Sequence, residues 1–435
     1  MRWQVHDSSR GEKQKHYLCI DLKSFYASVE CADRGLDPFT EKLVVADPDR
    51  GPGTICLAAS PAIKAAGVPN RCRVFQIPSD IEYTMATPRM SRYMEVAAKI
   101  NSIYMRHVCP EDIHVYSIDE CFLDITPYLG LSKMSAHDFA ALLIDEVLKE
   151  TGITATAGIG SNLFLAKIAL DLLAKHEKSG ITELNEHSFK QKIWFHQPIT
   201  DIWGIGPGIA RRLGRKGVHD LAGICATDPK WIMREFGKNG EYLIDHAWGQ
   251  EPCTIKEIRN WQPSSNSLSS GQVLIRNYSA EEARTVVREM ASSAALELRK
   301  LGKSCGQVAL WVGSGYIKMP DGRRSVMHAG GSMKLHERTC SPALITKRIL
   351  AIYDDKVDKR MPIKRISLSL GALGCARYDQ KSLFDDENQE KEASLADTAI
   401  AIHERFGKNA LLKGGSLKEE ATMRERNLQI GGHRA

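Results

Sequence analysis

The 435-residue chain has a net charge of +6, an apolar fraction of 43% and a charged fraction of 26%, which is ordinary for a globular protein of two to four domains. No stretch approaches the roughly 20 consecutive apolar residues of a membrane span, and residues 1–15 lack a signal-peptide core, so we expect a cytoplasmic protein without a membrane partner. Eleven cysteines without a C-x-x-C pair argue against a disulfide framework or a structural zinc.

Strand and helix signals alternate after a polar leader at 1–15 and continue to about residue 182. HYLCID (16–21) is predicted as a buried strand that ends on Asp21. Further strands are predicted at EKLVVAD, TICLAAS, HVYSI, CFLDI and ITATAGIG. Helices are predicted at LKSFYASVECA, PAIKAAG, residues 88–108, SAHDFAALLIDEVLKETG and SNLFLAKIALDLLAKH, the last with Ser161 as its N-cap. Such alternation is typical of an α/β or α+β catalytic unit.

The second half of the sequence contains three further regions. Residues 186–258 look purely helical, and the polar stretch EIRNWQPSSNS (257–267) is predicted to be a linker. From 268 to 375 the order strand, helix, strand, strand, helix, strand predicts a four-stranded sheet with two helices on one face. The tail 376–435 is polar and mostly flexible in this interpretation, with a helix only at about 390–406.

The basic residues are concentrated in one part of the chain. Residues 266–375 contain 18 Lys and Arg against 9 Asp and Glu, a net +9, while the tail has a net charge of −1. This distribution is typical of a module that binds a polyanion. A chance bias on a solvated surface is the alternative.

The stretch VYSIDECFLDI (115–125) places Asp119 and Glu120 between two apolar strand segments, and Asp21 ends a third. Carboxylates gathered at such a position repel one another unless a cation neutralises them. Oxygen ligands suit Mg²⁺, and two ions roughly 3.5–4 Å apart would support in-line phosphoryl transfer. The alternative is a surface turn whose acids are merely solvated.

Two sequence blocks make a family resemblance specific. YLCIDLKSFYASVE (17–30) and YSIDECFLDI (116–125) resemble the signature blocks of the Y-family, or lesion-bypass, DNA polymerases of the bacterial DinB/UmuC/ImpB group. The resemblance extends from about residue 16 to 375. It implies that Asp21, Asp119 and Glu120, with the Leu22 carbonyl, bind two Mg²⁺ ions.

The resemblance also implies the fold, an α+β multidomain right hand. The palm would comprise 16–24 and 92–182, the small fingers 25–91 and the helical thumb 183–256. The βαββαβ little finger would comprise 268–375, followed by the tail.

Candidate nucleotide-binding residues follow from the same resemblance. Tyr26 corresponds to an aromatic steric gate, whose ring leaves no room for a 2′-hydroxyl, while Phe25 is either a nucleotide contact or a core aromatic. Ser60 and Lys64 lie in the fingers, where many relatives have arginine at the position of Lys64 and tyrosine at that of Pro61. Lys175 resembles the palm lysine that binds the β- and γ-phosphates, one residue beyond the commonest spacing. A solvated lysine is the alternative for both lysines.

The segment ITDIWGIGPGIARRLGRKGV (199–218) resembles the helix-hairpin-helix of a polymerase thumb. Gly204, Gly206 and Gly208 at the turn would let backbone N–H groups approach a DNA phosphate, and Arg211 follows them. A plain helical turn is the alternative. In the little finger, Arg276, Lys334 and Arg338 are predicted DNA contacts.

The tail contains the peptide QKSLFD (380–385) within an acidic stretch. Gln380, Leu383 and Phe384 resemble the Q-x-x-L-F peptide by which bacterial polymerases bind the sliding clamp, a recurring mode of recognition. Alternatively, the two apolar side chains fold back onto the little finger.

Together these features predict a monomeric, template-directed DNA polymerase that binds primer-template DNA and dNTPs, with low fidelity and without proofreading. Lys23 and the AASPAIKAAG segment favour the UmuC/UvrX-like branch. Two rival hypotheses remain: a nucleotidyl cyclase, because palm-like folds with paired acids also cyclise nucleotides, and a non-catalytic DNA-binding scaffold recruited by the clamp.

Overall fold

The computed structural model describes residues 15–263, 266–318, 322–376 and 387–435. The chain divides into two compact units, Met1–Trp261 and Gln262–Ala435. Within the described ranges, no helix has the length and apolar character needed to cross a membrane.

The first unit contains a five-stranded sheet and a small three-stranded sheet. Its strands are β1 (Tyr17–Leu22), β2 (Leu43–Val45), β3 (Ala58–Ala59), β4 (Thr84–Ala86), β5 (Ile113–Val115), β6 (Glu120–Asp124), β7 (Ala155–Gly160) and β8 (Ile181–Leu184). The larger sheet has the order β5-β6-β1-β7-β8, with β1 antiparallel to both of its neighbours and β8 parallel to β7. The smaller sheet has the order β3-β2-β4. The central position of β1 explains its nearly continuous apolar sequence, because its neighbours and the packed helices cover it.

The described part of the first unit also contains twelve α-helices. They are α1 (Phe25–Asp33), α2 (Pro61–Ala65), α3 (Met90–Tyr104), α4 (Thr126–Ser132), α5 (Ala136–Thr151), α6 (Leu163–Ile168), α7 (Glu186–Lys192), α8 (Pro207–Gly214), α9 (Leu221–Ala226), α10 (Pro229–Phe236), α11 (Asn239–Ala247) and α12 (Ile255–Asn260). Helices α7 to α11 pack around a separate apolar core. This confirms the mainly helical character predicted for that part of the chain.

Two glycines bring α6 unusually close to β7. A Cβ atom at Gly158 would lie 2.2 Å from the backbone oxygen of Ala166, and one at Gly160 would lie 2.2 Å from the backbone nitrogen of the same residue. The two glycines alternate with Ile159, so they share one face of the strand. Helix α6 therefore packs backbone to backbone on β7, which fixes its position relative to β1.

The second unit is built on the predicted βαββαβ order. Its main elements are β9 (Leu268–Tyr278), α13 (Ala280–Lys300), β10 (Lys303–Gly313), β11 (Ile317–Lys318), β12 (Arg324–Ser325), β13 (His328–Thr339), α14 (Pro342–Lys356), β14 (Ile363–Gly371) and β15 (Gly374–Cys375). The antiparallel sheet has the order β13-β10-β14-β9. Helices α13 and α14 share one apolar core with this sheet, so the predicted two-layer arrangement is confirmed.

The C-terminal segment 387–435 packs on the second unit. It comprises α15 (Glu387–Phe406), α16 (Met423–Arg426) and the hairpin strands β16 (Gln429–Ile430) and β17 (His433–Arg434). The buried Glu289 carboxylate of α13 accepts hydrogen bonds from the backbone N–H groups of Thr422 and Met423, at 2.9 and 3.0 Å. Arg299 pairs with Asp397 through two 2.6 Å contacts. The prediction of a mostly flexible tail is therefore corrected for this segment.

Three boundaries also differ from the sequence prediction. Asn162, and not Ser161, caps α6, because its side chain accepts a 2.8 Å hydrogen bond from the Leu165 N–H. The predicted linker begins inside α12, whose Ile258 packs against core residues. Strand β8 crosses the predicted boundary between palm and thumb at residue 183.

Candidate active site

The backbone positions of the three predicted acids adjoin where β1 and β6 lie side by side. Asp21 is directly opposite Glu120 in the antiparallel register. The Leu22 N–H donates a 2.9 Å hydrogen bond to the backbone oxygen of Asp119. The chain turns tightly between β5 and β6, because the N–H groups of Tyr116 and Ser117 both donate to the Glu120 carbonyl at 3.0 Å. The predicted convergence of a strand end with a bend is therefore present.

Two lysines and a fourth acid connect Asp21 and Glu120 in a chain of alternating charge. The Lys175 ammonium lies 2.7 Å from the Asp21 carboxylate and 2.9 Å from that of Asp171. The Lys167 ammonium lies 3.0 Å from Asp171 and 2.8 Å from Glu120. We call these five residues the charge chain. Each acid of the charge chain contacts a lysine, so the positive charges offset the repulsion between the carboxylates.

The helix that carries both lysines changes its geometry between them. After α6, residues 169–173 form a π-helical turn, and residues 174–176 form a 3₁₀ turn. A π turn accommodates one additional residue relative to an α-helical turn and is frequent at functional sites. The π turn can therefore accommodate the one residue by which Lys175 exceeds the commonest spacing of the family. Lys175 contacts the same Asp171 carboxylate as Lys167.

Burial and neighbouring charge set the pKa values in this site. Burial raises the pKa of Asp21, the Lys175 ammonium opposes that effect, and the negative charge of Asp119 adds to it. Burial alone would lower the pKa of Lys175, but Asp21 and Asp171 outweigh it and raise that pKa. Lys175 is therefore a firmly protonated cation beside a carboxylate that is costly to keep charged.

The donor chemistry fits a hard divalent cation at Asp21 and Asp119. Both supply carboxylate oxygens, and the effect of Asp119 on the Asp21 pKa places the two within electrostatic range. The Glu120 carboxylate already accepts hydrogen bonds from Lys167 at 2.8 Å and from the Cys19 thiol at 3.2 Å. Among the described residues, no three His, Cys, Asp or Glu side chains form a ready-made metal cage. Binding of Mg²⁺ by the predicted set, including the Leu22 carbonyl, stays a prediction.

Lys64 of the fingers region also faces the charge chain. Its ammonium donates a 2.8 Å hydrogen bond to the Ser24 hydroxyl. Burial lowers the pKa of Lys64, and the negative charge of Asp21 partly opposes that effect. Lys64 and Lys175 are thus two cations within electrostatic range of the same carboxylate.

The aromatic pair divides into one core residue and one accessible residue. Phe25 is buried, with 3% of its surface exposed, which corrects its assignment as a nucleotide contact. Tyr26 is half-buried and stacks on Tyr93, with ring centroids 4.5 Å apart and an angle of 17°. Burial raises the pKa of Tyr26, and the negative charge of Asp119 adds to the increase. The Tyr26 phenol therefore lies within electrostatic range of Asp119, and its role as a steric gate stays a prediction.

The predicted contact of Ser60 with a nucleotide is wrong. Ser60 is fully buried. Its hydroxyl donates to the Glu41 carbonyl at 2.6 Å and accepts from the Leu43 N–H at 3.0 Å. It also caps α2 by accepting from the Ile63 N–H at 3.4 Å. A hydroxyl with these three partners holds the fingers together and has no capacity left for a ligand.

The glycine turn before α8 has the shape expected of a phosphate-binding hairpin. A short 3₁₀ turn at 199–201 precedes it, and Gly204 has a φ of +87°, which favours glycine. Among the described residues, apart from chain neighbours and the backbone of the same helix, no atom lies within 4 Å of a Cβ placed on Gly204, Gly206 or Gly208. The turn is therefore open to an approaching backbone, and Arg211 is exposed one turn along the helix.

The remaining predicted contacts lie on the second unit or outside the described residues. Lys334 and Arg338 are exposed on β13, where Met333 and Leu335 pack towards the core. Arg276 is tied to Glu282 at 2.6 Å and lies over the Tyr278 ring, so it is less available than predicted. Gln380, Leu383 and Phe384 of the clamp peptide fall within 377–386, outside the described residues.

The sequence prediction missed Lys167, Asp171 and Cys19. Lys167, Asp171 and Lys175 are spaced four residues apart in AKIALDLLAK, a pattern that predicts one helical face. That pattern was available from the sequence. The contact of Lys167 with Glu120 was not, because it joins residues 47 positions apart.

Comparisons with known proteins identify the family and the fold of the chain. Residues 20–171 match the impB/mucB/samB family, and residues 265–383 match the impB/mucB/samB family C-terminal domain. UvrX of Bacillus subtilis (strain 168), a relative named for UV-damage repair, is 30% identical over 97% of this chain and 98% of its own. DNA polymerase IV 2 of the same organism is 29% identical over 97% of this chain and 99% of its own. A solved Y-family DNA polymerase chimera of Dbh and Dpo4 has a similar fold, with a TM-score of 0.62 at 21% identity, covering 82% of this chain and 98% of that one.

Proposed function

Because the chain belongs to the impB/mucB/samB family, we propose that it is a DNA-directed DNA polymerase of the Y family that copies damaged as well as intact templates. The observation that supports this proposal is that Asp21 lies opposite Glu120 and next to the Asp119 backbone, with Lys175 paired to Asp21 and Lys167 paired to Glu120. Relatives named for UV-damage repair and for DNA polymerase IV support the choice of substrate.

The reaction is nucleotidyl transfer. The primer 3′-hydroxyl attacks the α-phosphate of a dNTP, the bond to the β-phosphate breaks, and pyrophosphate leaves. Mg²⁺ ions, when bound by Asp21, Asp119, Glu120 and the Leu22 carbonyl, supply the positive charge that this step requires. The lysines of this chain neutralise the triphosphate, and the acids orient the reacting ends.

Lys175 has two roles in this proposal. Without substrate it compensates the charge of Asp21, at 2.7 Å. With a dNTP present it turns to the β- and γ-phosphates, while Asp171 keeps its ammonium at the site. Lys64 adds a second phosphate contact from the fingers side. Each lysine acts as a point charge, without the bidentate geometry that arginine would give.

Tyr26 is the proposed steric gate for the sugar. Its ring is supported from behind by Tyr93, whose hydroxyl donates a 2.8 Å hydrogen bond to Glu30. A ring held in this way cannot move aside for a 2′-hydroxyl without losing its stacking. Ribonucleotides are therefore rejected by contact.

DNA would be held through its backbone at two places. The open turn at Gly204, Gly206 and Gly208 fits a phosphate at the N-terminus of α8. On the second unit, Lys334 and Arg338 are exposed on the edge strand β13 of a sheet whose other strands expose the apolar side chains Val273, Ile275 and Trp311. Contacts of this kind position the duplex without reading its sequence.

Primer extension with the Asp119→Ala variant tests the proposal. We expect wild-type protein to extend a primer on a defined template with Mg²⁺ and dNTPs. The variant should lose at least about a thousandfold in rate, because a metal ligand supports several kcal/mol of transition-state stabilisation. Extension at the wild-type rate by the variant would refute the site.

The same assay separates the rival hypotheses. A nucleotidyl cyclase would consume nucleotide without a primer, and a non-catalytic scaffold would bind DNA without extending it. The glycine hairpin and the basic second unit have no use in a cyclase.

We also propose that the QKSLF peptide (380–384) binds the sliding clamp and that the protein is otherwise monomeric. Tethering would raise the local concentration of the polymerase at the primer end. Deletion of 380–384 should abolish stimulation by the clamp and leave synthesis without the clamp unchanged. Retained stimulation would reject this role, and sedimentation at several concentrations would check the monomer.

A further inference from the structure

The helical face of the second unit contains a basic cleft. Helices α13 and α14 form its walls, and residue 413 of the C-terminal segment completes it, around a volume of about 500 Å³. Arg284, Arg288, Lys347 and Lys413 line the cleft with a single acid, Asp354, which leaves a formal charge of +3. This cleft is distinct from the DNA contacts predicted in the second unit, Arg276, Lys334 and Arg338, which lie on strands of the sheet.

The cations of the cleft follow α13 in a regular row. Arg284, Arg288 and Ser292 are four residues apart, which corresponds to about 6 Å of helix rise per step. The Lys413 ammonium donates a 3.0 Å hydrogen bond to the Ser292 hydroxyl, so it extends the row by one step. Arg284 and Arg288 are like charges at a spacing that destabilises a helix, and Asp354 pairs directly with Arg284 alone.

One cation of the cleft is fixed by an ion pair, and two others have side chains that are available to a ligand. Arg284 is fixed by a bidentate pair with Asp354, at 2.7 and 2.8 Å. The side chains of Arg288 and Lys347 are exposed and make no hydrogen bond or ion pair within the described ranges, although the charge of Arg288 helps to lower the pKa of Asp354. The hydroxyl of Thr346, in the cleft wall, is buried and has no hydrogen-bond partner among the described residues.

From this arrangement we propose that the cleft binds a chain of phosphate groups. Guanidinium and ammonium groups recognise phosphate oxygens, and arginine does so with two parallel hydrogen bonds. A row of cations at equal steps matches a ligand whose charge repeats along a chain better than one with a single charge. The shared chemistry is the phosphate, which can come from a single-stranded nucleic acid or from a free oligophosphate. Leu350 and Ala351 form an apolar wall against which a sugar can pack.

The C-terminal segment is part of this site. Lys413 lies beyond residues 265–383, where the family's C-terminal domain matches. Its position depends on the contacts of Glu289 with Thr422 and Met423. The cleft is therefore completed only when the segment is packed on α13. The inference concerns a second anion site and does not depend on polymerase activity.

Lysine footprinting of the full chain tests the proposal. The protein is treated with an acetylating reagent, without Mg²⁺, and modification is measured by mass spectrometry. The three added ligands are tripolyphosphate, a six-residue oligothymidylate and hexaglutamate. Lys356, on the same helix as Lys347 but outside the cleft, is the internal control.

We expect the phosphate ligands to slow acetylation of Lys347 and Lys413 by about tenfold at ten times Kd, since protection follows occupancy. Lys356 should be unaffected, and Arg288→Ala should remove the protection, whereas Arg405→Ala, outside the cleft, should keep it. Protection by only one phosphate ligand supports the site and identifies the source of the phosphate. Equal protection by hexaglutamate, or no protection of Lys347 and Lys413, overturns the proposal.

Discussion

The two main sheets of the protein use their faces differently. In the first unit, β1 is buried along its length apart from the half-buried Asp21, and the acids stand where β1 meets the start of β6. In the second unit, one face of the sheet packs on α13 and α14, while Val273, Ile275 and Trp311 are 66%, 72% and 56% exposed. The first sheet places its charged residues together at one point, whereas the second exposes apolar side chains on two of its strands. Substitutions in the first should therefore have large local effects, and those in the second small distributed ones.

Of the substitutions considered, Gly158→Ala in the first sheet should have the largest effect, because it disrupts the packing of α6 on β7. The new Cβ would lie 2.2 Å from the Ala166 oxygen and 2.3 Å from the Leu170 nitrogen, both of them backbone atoms. Because backbone cannot rotate away, we expect a loss of at least about 4 kcal/mol in the free energy of unfolding. Urea titration followed by fluorescence measures it.

Gly130→Ala is the matched control, because no atom lies within 4 Å of its Cβ position in α4. Its effect should be neutral or slightly stabilising. Equal stability of the two variants would show that α6 is not held against β7 as closely as described.

The two lysines of the charge chain should separate stability from substrate binding. Lys167 is 7% exposed, so Lys167→Met leaves the Glu120 carboxylate buried without its ion-pair partner and should cost about 3 kcal/mol of stability. Lys175 is 36% exposed. Lys175→Met should therefore change stability little and raise the KM for dNTP about tenfold, the effect of losing about 1.4 kcal/mol of binding.

Thermal unfolding and steady-state extension kinetics check both halves of this prediction. If Lys175→Met lowered kcat and left KM unchanged, its proposed role as a triphosphate contact would fail.

Tyr26→Ala tests whether the Tyr26 ring excludes ribonucleotides from the site in the first unit. Removing the ring that stacks on Tyr93 opens the space that a 2′-hydroxyl needs. We expect discrimination against ribonucleotides to fall by about a hundredfold, measured as the ratio of kcat/KM for dNTP and rNTP. Tyr26→Phe should keep it, and unaltered discrimination in Tyr26→Ala would assign the gate elsewhere.

Lys334→Ala tests the proposed DNA contacts of the second sheet and should have the smallest effect. One lost phosphate contact lowers the slope of log affinity against log salt by about 1, uniformly across DNA sequences. Fluorescence anisotropy with two unrelated duplexes at several salt concentrations measures this. Lys356→Ala, at the C-terminal end of α14, is the control. A loss confined to one duplex would indicate base contacts, which the exposed lysine is not expected to make.

The sequence predicted features that depend on local patterns. Apolar strand segments ending in acids were sufficient to bring Asp21 and the Asp119–Glu120 pair together, because strand pairing aligns their ends. The βαββαβ order of the second unit followed from alternation and helical periodicity. The hydroxyl of Ser60 was misassigned because a serine before Pro61 is equally a helix cap, and the structure uses it as one.

Features that depend on distant contacts were not predictable in this way. The polar segment 387–435 has no apolar periodicity of a core element, yet it packs through Glu289, 133 positions from Thr422. The π turn before Lys175 likewise leaves no signal in composition. The π turn lies between two tertiary contacts of the same helical segment. One is the close packing of α6 on the glycines of β7, and the other is the ion pair of Lys175 with Asp21.

The charge chain has a consequence for handling and storage of this protein. Small zinc-binding domains unfold in chelating buffers because metal binding supplies the free energy of their folding. In this protein, Lys175 and Lys167 already neutralise the charges of Asp21 and Glu120 without a metal ion. A preparation dialysed against EDTA should therefore melt at nearly the same temperature as one kept in magnesium, and losing the ion would silence the protein without unfolding it.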